Sequence, residues 1–238
     1  GLKANNNYSK QVQGLKDFFK KSRVNMNIDK SMNLKSKAMK QIIDGESTVY
    51  LYADDEKEIV DGVTFLKNFG INKIVIVGAS ESRNQLDFIK ENNIPVVVKQ
   101  PYRFPQSIDS DPSDTFKLAK LMLDKGILVS IDPSGAPQSR VSVRNLPFYA
   151  GSFSSYGINK EKALSLITIN PAKILGIDDE FGSIEIGKSA TLFISKGDAL
   201  DIVSNNVTHA FISGRNISLE THQTRLWRRY SNKYSSSQ

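Results

Sequence analysis

Lys73-Ile74-Val75-Ile76-Val77 is an unbroken β-branched run behind one lysine, and Gly78-Ala79-Ser80 follows it directly. Apolar and polar residues in alternation would mark a strand with one wet face. A continuous run instead predicts a strand covered on both faces, as in parallel sheets flanked by helices. The neighbouring segments agree. Upstream, Asp55 to Phe69 sets Ile59, Val63, Leu66 and Phe69 on one helical face with Gly70 as its stop, and Thr48 to Ala53 before it predicts a strand. Further back, Leu34, Ala38, Met39, Ile42 and Ile43 form the apolar face of a helix that Gly45 ends. Downstream, Ser82 to Glu91 predicts a shorter helix, Pro95 to Lys99 a third strand, Asp114 to Lys125 a helix and Gly126 to Asp132 a fourth strand.

Strands separated by helical crossovers lie parallel with right-handed connections, so the expected class is α/β. Chemistry in such folds sits past the C-terminal ends of the strands. Those ends are Tyr52 to Asp54, Gly78 to Ser80, Lys99 to Tyr102 and Asp132 to Ser134. Beyond Asp132 the pattern predicts helices around Val143 to Tyr156 and Lys160 to Ile169, then short strands with glycine turns in Gly182 to Ser195 and Val207 to Ile217. Gly182 and Gly187 bracket Ser183 to Ile186 as a tight turn, with Ala190, Leu192 and Ile194 alternating as an inward face. Asn170 before Pro171 argues against helix through residue 170 and lets Pro171 open a short helix that Gly176 closes with positive φ. Thr221 to Tyr234 predicts a basic helix whose Leu226, Trp227 and Tyr230 share one side and are expected to pack on the body.

Composition narrows the function. The chain has 238 residues, a net charge of +7, no cysteine and two histidines, His209 and His222. Disulfide frameworks, cysteine-ligated zinc and thiol catalysis are excluded, and no apolar run is long enough to cross a bilayer. The chain opens at Gly1 without an apolar segment, which suggests a processed start. Residues 1–40 carry ten Lys/Arg against Asp17 and Asp29, while the remainder is close to neutral. Single lysines interleaved with Val12, Leu15, Phe18 and Phe19 read as a solvated helix face, and no nucleic-acid role is expected. Asp54, Asp55 and Glu81 read as helix N-terminal charges, His209 as structural and His222 as solvent-facing.

Three spaced motifs carry a family likeness. Asn170-Pro171-Ala172-Lys173-Ile174-Leu175-Gly176-Ile177, then Gly182-Ser183-Ile184-Glu185-Ile186-Gly187-Lys188-Ser189-Ala190-Thr191-Leu192, then Val207-Thr208-His209-Ala210-Phe211-Ile212-Ser213-Gly214-Arg215, resemble the C-terminal signature of the amidohydrolase superfamily, imidazolonepropionase-like branch. Arg144-Asn145-Leu146-Pro147-Phe148 is similar to an exported bacterial subgroup. The resemblance implies a partial TIM-like barrel, strands five to eight of a metal-dependent hydrolase barrel, plus a small C-terminal β-sandwich element. The implied divisions are 1–45, a basic helical segment leading into the barrel; 46–180, the α/β half-barrel; 181–219, the small β element; and 220–238, a basic helix and tail. A periplasmic or otherwise exported bacterial location is the implied expectation.

In that family a divalent metal activates water for attack on an amide or lactam carbon. Its ligands are an H-x-H pair after the first strand, a carboxylate or modified lysine after the fourth, histidines after the fifth and sixth, and an aspartate after the eighth that also takes the water's proton. By the resemblance the fifth-strand histidine falls on Tyr52, the sixth-strand histidine on Gly78, and the aspartate on Asp132. A phenol with pKa about 10 is a poor zinc ligand at neutral pH, and glycine has no side chain. Asp132 is thus the one candidate catalytic and metal residue, and Asp132-Pro133-Ser134-Gly135 is equally good turn chemistry. Ser80 and Lys99 are candidate binding residues from their place at the strand ends, and the Gly78 to Ser80 turn offers backbone amides to an anion.

Three functions remain open on these grounds: a structural or binding subunit that has lost metal catalysis, a hydrolase of C–N bonds completed by an N-terminal half carrying H-x-H, or a free-standing ligand-binding module. No cofactor is expected in this chain alone, and zinc only with a partner segment. Bare barrel edges predict a complementary N-terminal half-barrel chain or self-association.

Overall fold

The computed structural model describes residues 8–28, 34–103, 111–134 and 143–235. The chain forms two compact units, Gly1–Val96 and Val97–Gln238. Strands β1 (Val49–Ala53), β2 (Ile74–Gly78), β3 (Val96–Lys99) and β4 (Val129–Asp132) follow one another in a sheet of order β1-β2-β3-β4. The division between the units falls within β3.

In the first unit, helices α1 (Tyr8–Ile28), α2 (Leu34–Ile43), α3 (Glu56–Asn68) and α4 (Leu86–Glu91) accompany the strands. β1 and β2 pair in parallel with Tyr52 opposite Val77 and Ala53 opposite Gly78. The β-branched run is buried along its whole length, as a two-sided strand requires. Ile76 N–H donates to Pro95 O at 3.0 Å, carrying the pairing toward β3. α3 starts where its chemistry says. Asp55 caps it by accepting from Lys57 N at 2.7 Å and Glu58 N at 3.4 Å, and Glu56 and Glu58 add charge that the helix dipole favours. Its Ile59, Val63 and Leu66 are buried. Phe19 of α1 meets Phe65 and Phe69 edge-on, each at 5.4 Å between centroids. Arg23 lies 3.7 Å from the Phe69 ring centre and donates to the Phe69 carbonyl, so one cation of α1 closes the C-terminus of α3. Leu15 and Phe18 stay exposed, in keeping with a largely solvated helix face.

In the second unit, α5 (Asp114–Asp124), α6 (Leu146–Ser154), α7 (Lys160–Ser165) and α8 (Ile169–Leu175) gather around β4. Phe116 is the hub of an aromatic cluster, 4.8 Å from the fully buried Phe153 and 4.7 Å from Tyr156, onto which it stacks. Asn170 lies inside the first turn of α8, which begins at Ile169, against the expectation that Asn170 would stay outside it. The reason is its side chain, which donates to the Val129 carbonyl of β4 at 2.7 Å and holds that turn against the strand. Gly176 closes the helix at φ 69°, with Ile177 N–H donating to Ala172 O at 3.0 Å and Gly176 N–H to Lys173 O at 3.2 Å.

A three-stranded antiparallel sheet follows, β5 (Leu192–Ser195), β6 (Val207–Ile212) and β7 (Arg215–Asn216), in that order. Of the short strands expected over Gly182 to Ser195 only Leu192–Ser195 forms; residues 182–191, where Gly182 and Gly187 are expected to bracket a tight turn, are turn, bend and irregular chain, and Ile184 and Ile186 stand in solvent. The inward face expected for Ala190, Leu192 and Ile194 does not form either, since Ala190 and Ile194 are exposed. Alternation marks a face that wants cover, and among the described residues Ala190 and Ile194 do not receive it. The same holds for α9 (His222–Ser235): the sequence expectation was packing on the body, but Trp227 is 69% exposed.

Candidate functional site

The ends of β1 and β2 meet in the first unit. Asp54, the residue after β1, receives the Ser80 N–H on Oδ1 at 3.1 Å, and its carbonyl accepts from Glu81 N at 2.9 Å. Ala79 N–H donates to Ala53 O at 2.8 Å. Asp54 therefore ties one strand end to the next, a role different from the helix N-terminal charge expected of it. Gly78 and Ala79 both have positive φ, 117° and 57°. A Cβ on Gly78 would meet Asp54 Oδ1 at 2.7 Å and Ala53 O at 2.9 Å, closer than real Cβ atoms come to their neighbours. The position that the family resemblance assigns to a histidine thus has no room for any side chain. Tyr52, the other such position, is 70% exposed. Ser80 and Ser82 are buried, and the hydroxyl of each lacks a protein hydrogen-bond partner.

The ends of β3 and β4 adjoin in the second unit, where Gln100 N–H donates to Asp132 O at 2.9 Å. Lys99 is half-buried at the end of β3. Asp132 accepts from Ser134 N on Oδ1 at 2.7 Å and from Ser134 Oγ on Oδ2 at 2.5 Å. Both carboxylate oxygens therefore serve the turn after the strand, as the turn reading of Asp-Pro-Ser foresees. Gly135, which the sequence adds to that turn, lies outside the described residues.

These residues do not fit a catalytic zinc site. Such a site takes about three nitrogen, sulfur or carboxylate ligands. The three positions in question supply a glycine whose Cβ space is filled, a phenol, and a carboxylate occupied by its own turn. Among the described residues no three His, Cys, Asp or Glu side chains converge. His209 sits exposed on β6 with Nδ1 3.1 Å from Thr208 Oγ1, and His222 opens α9 in solvent.

The sequence reading missed a cleft of about 630 Å³ in the second unit, lined by residues including Tyr102, Tyr149, Ser152, Lys160, Asp198 and Asp201. The Tyr102 and Tyr149 rings lie 5.4 Å apart, and the Tyr102 hydroxyl hydrogen-bonds Ser152 Oγ. Lys160 Nζ pairs with Asp198 Oδ2 at 2.6 Å. That hydrogen bond, followed by one from Leu200 N–H, holds the Asp198 carboxyl below its ordinary pKa, and the same bond raises Lys160. Asp201 is held low chiefly by the Ser204 hydroxyl. The cleft's acids are thus already partnered, and aromatic rings form part of its wall. Its residues come from segments far apart in the chain, so no local motif announces it.

Comparison with known proteins gives this geometry its setting. The imidazolonepropionase of Picrophilus torridus is 29% identical over 169 residues, covering 69% of this chain and 41% of that protein. The 5'-deoxyadenosine deaminase of Methanobrevibacter smithii is 25% identical over 150 residues, 58% of this chain and 31% of that one. The chain therefore spans less than half the length of these relatives. An amidohydrolase from Thermotoga maritima has a similar fold, with a TM-score of 0.73 at 24% identity, covering 87% of this chain and 55% of that one. The sequence model of the amidohydrolase family matches residues 9–217, nearly the whole of the described fold, and the chain belongs to that family.

Proposed function

We propose that this chain is the C-terminal half of an amidohydrolase-type barrel, with β1 to β4 standing as strands five to eight, and that it serves as a non-catalytic structural or binding subunit. The observation that carries the reading is at Gly78, where the carboxylate of Asp54 occupies the space that a histidine side chain would need. Tyr52 and the self-satisfied Asp132 support it. The basic segment 1–45, half-barrel 46–180, β element 181–219 and terminal segment 220–238 are its parts. Ser80 and Lys99 are the strand-end residues proposed as its binding residues, although Ser80 is buried here and would need the turn to open.

Elemental analysis of the chain purified from zinc-supplemented medium tests this. Zinc far below one per chain is the expected result. Stoichiometric zinc that disappears in Asp132→Ala would sink the proposal.

The length comparison favours a second reading. Because the chain spans 41% of one relative and 55% of another, an N-terminal half carrying H-x-H would complete a hydrolase of C–N bonds. Isolation of such a complex, with amide or lactam hydrolysis abolished by Asp132→Ala, would establish this reading over the first.

A further inference from the structure

Helix α9 carries a face that none of the roles above uses. Its sequence, His222–Ser235, holds Arg225, Arg228, Arg229 and Lys233 and no acidic residue. At 100° per residue, Leu226, Tyr230 and Trp227 fall within an arc of about 100°. Lys233 and Arg229 follow one border of that arc, about 20° and 60° beyond Leu226, with Arg225 further round, and the Arg229 guanidinium lies 5.9 Å from the Tyr230 ring centre. Leu226, Trp227 and Tyr230 are exposed at 37%, 69% and 47%. Arg228, on the far side, is paired with Glu220 at 2.8 Å.

We propose that α9 lies along the surface of an anionic lipid bilayer, its apolar strip at the acyl boundary and its bordering cations on headgroup phosphates. Charge complementarity selects this occupant. A second copy of an all-cationic helix would be repelled, and a protein groove would need carboxylates along one rim. A single-stranded nucleic acid would engage the cations and stack on the rings but leave Leu226 without cover. An anionic bilayer meets both sides of the helix at once, and Trp and Tyr beside Arg and Lys are the residues that such interfaces favour. The helix is 14 residues long, about 21 Å, and no helix among the described residues is long and apolar enough to cross a membrane, so α9 lies on the surface. This inference stands apart from the proposed function, since it needs neither a metal nor a completed barrel.

Trp227 is the single tryptophan and reports directly on the proposed contact. The full chain is titrated with phosphatidylcholine vesicles, with and without about one third phosphatidylglycerol, following Trp227 emission and co-sedimentation. The expected result is binding with a blue shift on the anionic vesicles alone, weakened by salt and by about fivefold for each of Arg229→Gln and Lys233→Gln. Leu226→Ser weakens it with all charges kept. These positions are exposed, and unchanged far-ultraviolet circular dichroism verifies the fold of each variant. No binding, equal binding to uncharged vesicles, binding unaffected by the substitutions, or preference for a single-stranded oligonucleotide without a blue shift would each overturn the proposal.

Discussion

Asn170 Nδ2 donates to the carbonyl of Val129 at 2.7 Å, joining the first turn of α8 to the start of β4 across 41 residues of chain. Asn170 is buried, and its partner is the backbone of a strand whose Val129, Ser130 and Ile131 are buried too. Replacing it strands a carbonyl without a donor. Asn170→Ala is expected to cost about 1–3 kcal/mol in urea unfolding. A change below a few tenths would mean that water takes over the bond.

Gly78 is expected to resist substitution for two separable reasons. Its φ of 117° is unfavourable for any L side chain, and a Cβ meets both Asp54 and Ala53. Gly78→Ala should lose about 1–3 kcal/mol from the backbone alone. Asp54→Ala in the same chain should recover only part of this, because the Ala53 carbonyl remains 2.9 Å from the added carbon. Full recovery in the double variant would show that the carboxylate is the sole obstacle.

Phe153 is fully buried and lies 4.8 Å from Phe116. Phe153→Ala should cost about 3–5 kcal/mol by removing its packing and opening a cavity. Tyr156→Leu, at the rim of the same cluster, should cost far less. Equal losses would mean that the stack on Phe116, and not burial, organises this core.

Acid should weaken the fold through Asp198 and Asp111. Lys160, then Leu200 N–H, lowers the pKa of Asp198, and Lys117, then Ser113, lowers that of Asp111. A carboxyl depressed in the folded state stabilises above its unfolded pKa, about 3.9, and that contribution fades as pH falls through the lower folded value. The urea midpoint should hold steady down to about pH 5 and decline below about pH 4. Asp111 is exposed and Asp198 only half-buried, so the slope is small, and Asp198→Asn should lessen it further.

Self-association or a complementary chain is the expected state in solution. Phe193, Ile194 and Ile212 stand exposed on a three-stranded sheet, and sheet edges invite pairing. Light scattering should give a mass above that of one chain. A well-folded monomer at micromolar concentration would count against the half-barrel reading.

The α/β part was legible because its signals are local. The run at Ile74 to Val77 and the spacing of Ile59, Val63 and Leu66 each point to one element, and all seven side chains take the buried positions expected. Asp132 was legible as a turn former for the same reason, since its partner Ser134 is two residues away. Past residue 180 the reading weakened. Ile184, Ile186 and Ile194 have the apolar character of a covered strand, but cover is supplied by another part of a molecule and is not encoded in the strand. The cleft between Tyr102 and Asp198 stayed hidden because tertiary structure alone brings those residues together.

The crowding at Gly78 also bears on engineering. Placing a histidine there would require the turn to leave positive φ, Asp54 to vacate its place, and Ser80 to find another acceptor for its N–H. Each change alone is harmful, so a side-chain ligand at this position lies across a valley that single substitutions do not cross. A designer seeking a metal ligand here would do better to replace the whole segment from Ala53 to Ser82 than to change residues one at a time.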